Sequence, residues 1–198
     1  MKPFFTKRCG AHIIDVIIVF LISALITSFI PVSQKAETIS ENIIDLSTGV
    51  SENKIALEKY NDELQNLNYE LIKETVIVSL ANIVVYLLYF VVYPVYNNGQ
   101  TFGKKLFKLK IINKNNEPLN MNNLLVRTLI LHKIAINLIS LTLILIISKS
   151  SFIFINNILN CFQYLIFGII LFMIILNKNG RGLHDVLSNT IVVNEEEK

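Results

Sequence analysis

Charge is scarce in this chain. Only 17% of its 198 residues are Asp, Glu, Lys or Arg, whereas 53% are hydrophobic. Ordinary soluble domains carry about 25% charge, so a soluble globular class is disfavoured from the outset. Tryptophan is absent. Cysteine occurs twice, as Cys9 and Cys161, with neither metal-ligand nor redox spacing, so no disulfide, metal or cofactor is implied. H-E-x-x-H, G-x-S-x-G and Walker motifs are also missing, and His184-Asp185 has no matching nucleophile. An enzyme and a nucleic-acid partner are therefore not expected.

What the chain does have is apolar length. Roughly His12–Ile30, Val76–Tyr93, Thr128–Ile147 and Ser151–Leu176 each reach the length of a bilayer crossing. A cleaved signal peptide is the alternative for the first stretch. It is disfavoured by the length of the run, by Asp15 within it and by the lack of an A-x-A-like site after Ile30.

Lysine and arginine distribution sets an orientation. Lys2, Lys7 and Arg8 open the chain, and Lys104, Lys105, Lys108, Lys110, Lys114 and Arg127 crowd the segment between the second and third stretches. Lys178 and Arg181 follow the fourth. Residues 31–75 instead hold four lysines and nine acids. Short basic loops stay in the cytoplasm. The expectation is an all-α membrane protein with four transmembrane helices and both termini cytoplasmic, in the bacterial cell membrane. Tyr86, Tyr89, Tyr93 and Tyr96 fall at the end of the second stretch that would meet the cytoplasmic interface, where Pro94 should end or kink the helix.

Residues 31–75 read as a helical extracytoplasmic insertion in one membrane domain covering 1–198. Ile39, Ile43, Leu46, Val50, Asn53, Leu57, Tyr60, Leu64, Leu67 and Leu71 step by four and three, an a/d stripe. Thr38-x-x-Glu41 fits a capping box, and Gly49 should break the stripe into two helices. Two readings stand: helices folded on each other, or a surface for a protein partner or homo-oligomer.

On the basic side, Asn97-Asn98-Gly99 marks a turn. Gly99 to Lys105 fails as a phosphate loop, having three residues between its glycines and Lys105 where Ser or Thr is required. Lys104, Lys105 and Lys108 suit anionic headgroups instead, each worth ~1 kcal/mol. Alternation over Phe107–Ile112 and the β-branched run Thr190–Val193 suggest a small cytoplasmic two-strand ladder. Arg181, His184 and Asp185 sit between, on an interfacial turn.

Three motifs in order carry a resemblance. Arg8-x-x-Ala11-x-x-x-Asp15 opens the first span. Gly99-Gln100-Thr101-x-Gly103-Lys104 follows the second, and Arg181-Gly182-Leu183-His184-Asp185 precedes Thr190-Ile191-Val192-Val193. Together, over residues 4–30 and 76–193, they resemble the RDD family of membrane proteins, named for one arginine and two aspartates. Arg8, Asp15 and Asp185 match those positions, and Arg127 matches a further basic one. The outer loop is longer than the family pattern. The resemblance implies a multi-pass membrane protein of undefined molecular function, with sodium–proton antiport linked to some members.

A carboxylate inside an apolar span needs a partner. Asp15 lies ~10 Å deeper than Arg8 at 1.5 Å per residue, and His132 and Lys133 lie ~8–9 Å deeper than Arg127. Asp15 is thus expected to meet Lys133 or His132, leaving Arg8 for Asp185. Asn82 and Asn137 near mid-membrane, with Asn156, Asn160 and Gln163 on one face of the last helix, extend the polar line. They read either as an ion or proton path or as interhelical glue. The function classes that follow are cation or proton transport through Asp15, and a membrane interaction or regulatory module in which the Arg/Asp pairs are structural.

Overall fold

The computed structural model describes residues 5–52, 55–115, 117–177 and 179–195; Lys2, Asn53 and Lys178 lie outside them. Helix α1 (Phe5–Thr27) is followed by α2 (Gln34–Ser51) and α3 (Leu57–Glu74). Helix α4 (Val76–Leu87) runs through a π-helical turn (Leu88–Val92) into α5 (Tyr93–Tyr96). The short α6 (Phe102–Leu106) leads into β1 (Leu109–Asn113). Then come α7 (Met121–Leu131), α8 (Ile134–Ile146), α9 (Lys149–Leu176), α10 (Leu183–Leu187) and β2 (Thr190–Asn194).

Among the described residues, three continuous helices are long and apolar enough to cross a membrane: Phe5–Thr27, Val76–Tyr96 and Lys149–Leu176. Large apolar side chains such as Phe20, Leu25, Phe162 and Phe172 point outward from the bundle. Such a surface is tolerated only against lipid or another protein. The third stretch is not the straight helix expected. It begins earlier, at Met121, and bends by 70° between α7 and α8. The break is at Lys133, whose φ of 60° is left-handed and which follows the α7 C-cap His132.

Pro94 comes just after a π turn, a common site of kinks, and its helix runs on only to Tyr96. Other local expectations are corrected. Ser33 caps α2 by accepting the Ala36 N–H, and Thr38 lies inside that helix donating to Gln34 O. Gly49 is helical too, because the break falls one turn later, where Ile55 packs back onto the bare glycine Cα. Helices α2 and α3 fold on one another, with Ala36, Ile39 and Leu46 buried along α2.

The opposite end of the bundle carries a cap. Strands β1 and β2 pair antiparallel, with Leu109 opposite Asn194, Ile111 opposite Val192 and Asn113 opposite Thr190. Phe107 ends α6 rather than starting the strand. Two strands alone are marginal in water. Here Leu109, Ile111 and Val192 are buried against Ala11 of α1, Val91 of the π turn and Leu124 of α7. Gly99 buckles the chain onto β1 with φ +77°, and a Cβ there would lie 2.1 Å from Ile111 O. Its own carbonyl accepts the Ile111 N–H at 2.9 Å. Beside it the Gln100 amide donates to Leu109 O at 2.9 Å.

Candidate functional site

The polar residues singled out in the sequence gather at three places. The first surrounds Asp15, which is fully buried. Its Oδ1 accepts the Tyr89 hydroxyl at 2.7 Å and the Gly103 N–H at 2.7 Å; Oδ2 accepts the Thr101 hydroxyl at 2.5 Å and lies 3.4 Å from Lys104 Nζ. The carboxylate thus sits on the first turn of α6, where free N–H groups favour an anion. This close seat demands glycine at 103: a Cβ would stand 2.2 Å from Ala11 O and 2.8 Å from Asp15 Oδ1. The expected pairing of Asp15 with Lys133 or His132 is overturned. The bend between α7 and α8 turns Lys133 to Asn160 Oδ1, at 2.6 Å, and His132 stacks on Phe90 with ring centroids 3.8 Å apart. Lys104 is likewise not at the headgroups. Burial holds its ammonium down to about 8, with Asp15 pulling the other way. Lys105 and Lys108 remain exposed.

The second cluster surrounds Asp185, also fully buried. Arg8 Nη2 donates to its Oδ2 at 2.8 Å, and Arg127 Nη1 donates to Oδ1. Asp185 also accepts the Gly182 N–H at 3.1 Å and so caps its own helix, α10. Arg8 further donates to Gly180 O, and Arg181 fixes the turn by donating to Asp185 O and Thr190 O, each at 2.9 Å. Arg127, Arg181 and His184, assigned from the sequence to the cytoplasmic interface, are buried within the cap. Burial, together with Arg127 and Arg8, pushes the His184 imidazole well below its usual range, leaving it neutral. Tyr89 and Thr101 were missed as partners of Asp15. Thr101 stood inside a motif already noted; Tyr89 carried no signal beyond its aromatic neighbours.

The third place is a cavity of about 560 Å³ between α3, α4, α8 and α9, on the side of the bundle away from the cap. Asn82, Asn137, Asn156 and Asn160 line it, with His132 and Lys133 at its inner end; Gln163 is not among the lining residues. Ser140 donates to Asn156 Oδ1 across α8 and α9, and Asn157 reaches Gln65 at 3.3 Å. His132 lies 5.3 Å from His12 between ring centroids, so the cavity and the Asp15 cluster are separated by two imidazoles.

Apolar helices with outward hydrophobic faces, gathered around buried ion pairs, define a helical membrane protein. A family model described as the RDD family matches residues 2–189, nearly the whole sequence, and the chain belongs to that family of membrane proteins. Comparisons with curated proteins and with solved structures returned no match.

Proposed function

We propose that the chain is a non-enzymatic, multi-pass module of the bacterial cell membrane, with both termini cytoplasmic, in which the Arg/Asp clusters are structural. The carrying observation is the state of Asp15. Its two oxygens are occupied by two hydroxyls, a backbone N–H and an ammonium, and none of its surface meets solvent. An ion-binding carboxylate must exchange partners, whereas this one is saturated by groups from the π turn and from α6 with its N-cap. The Asp15 and Asp185 clusters act as clamps that hold the cap to the ends of α1, α4 and α7. The orientation rests on the basic cap-side loops set against the acidic residues 31–75.

The test is Asp15→Asn in the full-length protein, with folded protein in the membrane and sodium or proton flux in proteoliposomes measured side by side. A fall in folded protein, with flux per folded molecule unchanged, supports the clamp. A normal protein level with flux abolished overturns it in favour of cation or proton transport through Asp15.

A further inference from the structure

The polar cavity has no part in the clamps, yet it is built from side chains that apolar helices tolerate poorly. Among its described lining residues Lys133 carries the one formal charge besides a histidine, and no carboxylate lines it. The Lys133 ammonium has three donors. One is given to Asn160, at 2.6 Å. The side-chain amides of Asn82 and Asn137 have no hydrogen-bond partner among the described residues. Interhelical glue would pair the half-buried Asn82 amide, while the exposed Asn137 faces the open space.

The break in the third span adds to this. Helix α8, thirteen residues long, starts at the inner end of the cavity without a side-chain cap, and its N-cap Lys133 and first residue Ile134 both line the space. Broken helices whose positive ends face a cavity are a means of holding negative charge inside a membrane. The Lys133 ammonium and the start of α8 meet at one place and both favour an anionic oxygen group, with asparagine amides beside them able to donate.

We propose that this cavity binds a small organic carboxylate, its acid group held at the inner end by Lys133 and its remainder contacted by the asparagine amides. The mouth of the cavity is polar, at the exposed Asn68 and Asn157, and admits a free acid from water, while Ile72, Ile83, Leu141 and Phe152 also line its walls. The inference goes beyond the structural reading of the clamps, to a region they do not use. It is tested by ligand binding, so it can fail while the Asp15 result stands.

The experiment uses full-length protein in phosphatidylcholine nanodiscs and follows thermal unfolding in acetate against chloride at matched ionic strength. Acetate is the minimal carboxylate probe. A saturable rise in the unfolding midpoint is expected, because a ligand of the native state stabilises it. Lys133→Asn keeps a residue that tolerates the left-handed backbone and removes the charge-assisted contact, which should weaken acetate binding by about tenfold or more. Asn82→Leu, on the wall, serves as an independent variant and should weaken it as well. No acetate effect in the unaltered protein overturns the proposal, as does an undiminished effect in both variants. A midpoint that responds to added phosphatidylglycerol but not to acetate overturns it in favour of a lipid headgroup.

Discussion

Arg8 on α1 donates to the carboxylate of Asp185 on α10, 177 positions further along the chain, at 2.8 Å. Arg127 on α7 takes the other carboxylate oxygen. One buried anion thus serves two guanidiniums and ties three helices together. Removing the anion should therefore cost more than removing either cation. Asp185→Asn is expected to destabilise the protein by ~3–5 kcal/mol, since it leaves two buried cations uncompensated. Arg8→Gln should cost less, because Arg127 still answers Asp185. Chemical unfolding of the three proteins in mild detergent gives the ordering, and equal losses for both substitutions would contradict it.

Gly103 and Gly168 make a matched pair. A methyl group at 103 meets Ala11 O and Asp15 Oδ1, whereas one at 168 meets nothing within 4 Å. Gly103→Ala should lower the folded fraction sharply, because backbone cannot move aside as a flexible side chain could. Gly168→Ala should leave it unchanged. Size-exclusion recovery after detergent extraction separates the two.

Tyr89→Phe removes one hydroxyl donor from the Asp15 carboxylate and alters little else. Hydrogen bonds to charged groups contribute ~1.5–3 kcal/mol, and a loss in that range is expected in the unfolding free energy. Thr101→Val should cost a similar amount. The two losses should not add, since both donors serve one carboxylate.

Acid should weaken the cap through His184. In the folded protein its pKa lies well below 6.5, through burial first and then through Arg127, Arg8, His132 and His12; Asp185 lies 3.4 Å from Nε2. The unfolded chain therefore takes up the proton first. Stability from this group is complete above pH ~6.5 and falls as pH drops below it, by up to ~1.4 kcal/mol per pH unit. Unfolding midpoints taken across that range should flatten in His184→Gln. An unchanged slope in the variant would assign the acid sensitivity elsewhere.

Legibility from sequence varied with the range of the interaction. Apolar length marked the spans at α1, α4 and α9, because burying such a run in lipid leaves little choice. Arg8 was matched to Asp185 only as what remained once Asp15 had been given other partners. The partners of Asp15 were missed, since depth arithmetic assumes straight helices. The left-handed backbone at Lys133 breaks that assumption and redirects the two residues chosen for the role. Thr101, Gly103 and Lys104 reach Asp15 from a loop that folds back on the bundle, and helical periodicity says nothing of such a return. Cap residues such as Thr38 failed for a simpler reason. Ser33, five residues earlier, offers an equivalent hydroxyl, and the helix takes the start that adds a turn.

The separation of Arg8 from Asp185 also has a meaning in time. The chain is made from its N-terminus, so Arg8 and Arg127 reach the membrane well before their shared anion exists. Until residue 185 is delivered, two guanidiniums wait at the bundle end without a carboxylate, and the strand that seals the cap, Thr190–Asn194, is still to come. Closure of the cap thus waits until residue 194 has been delivered. A chain halted before residue 185 differs from one that has passed it by two uncompensated guanidiniums at that end.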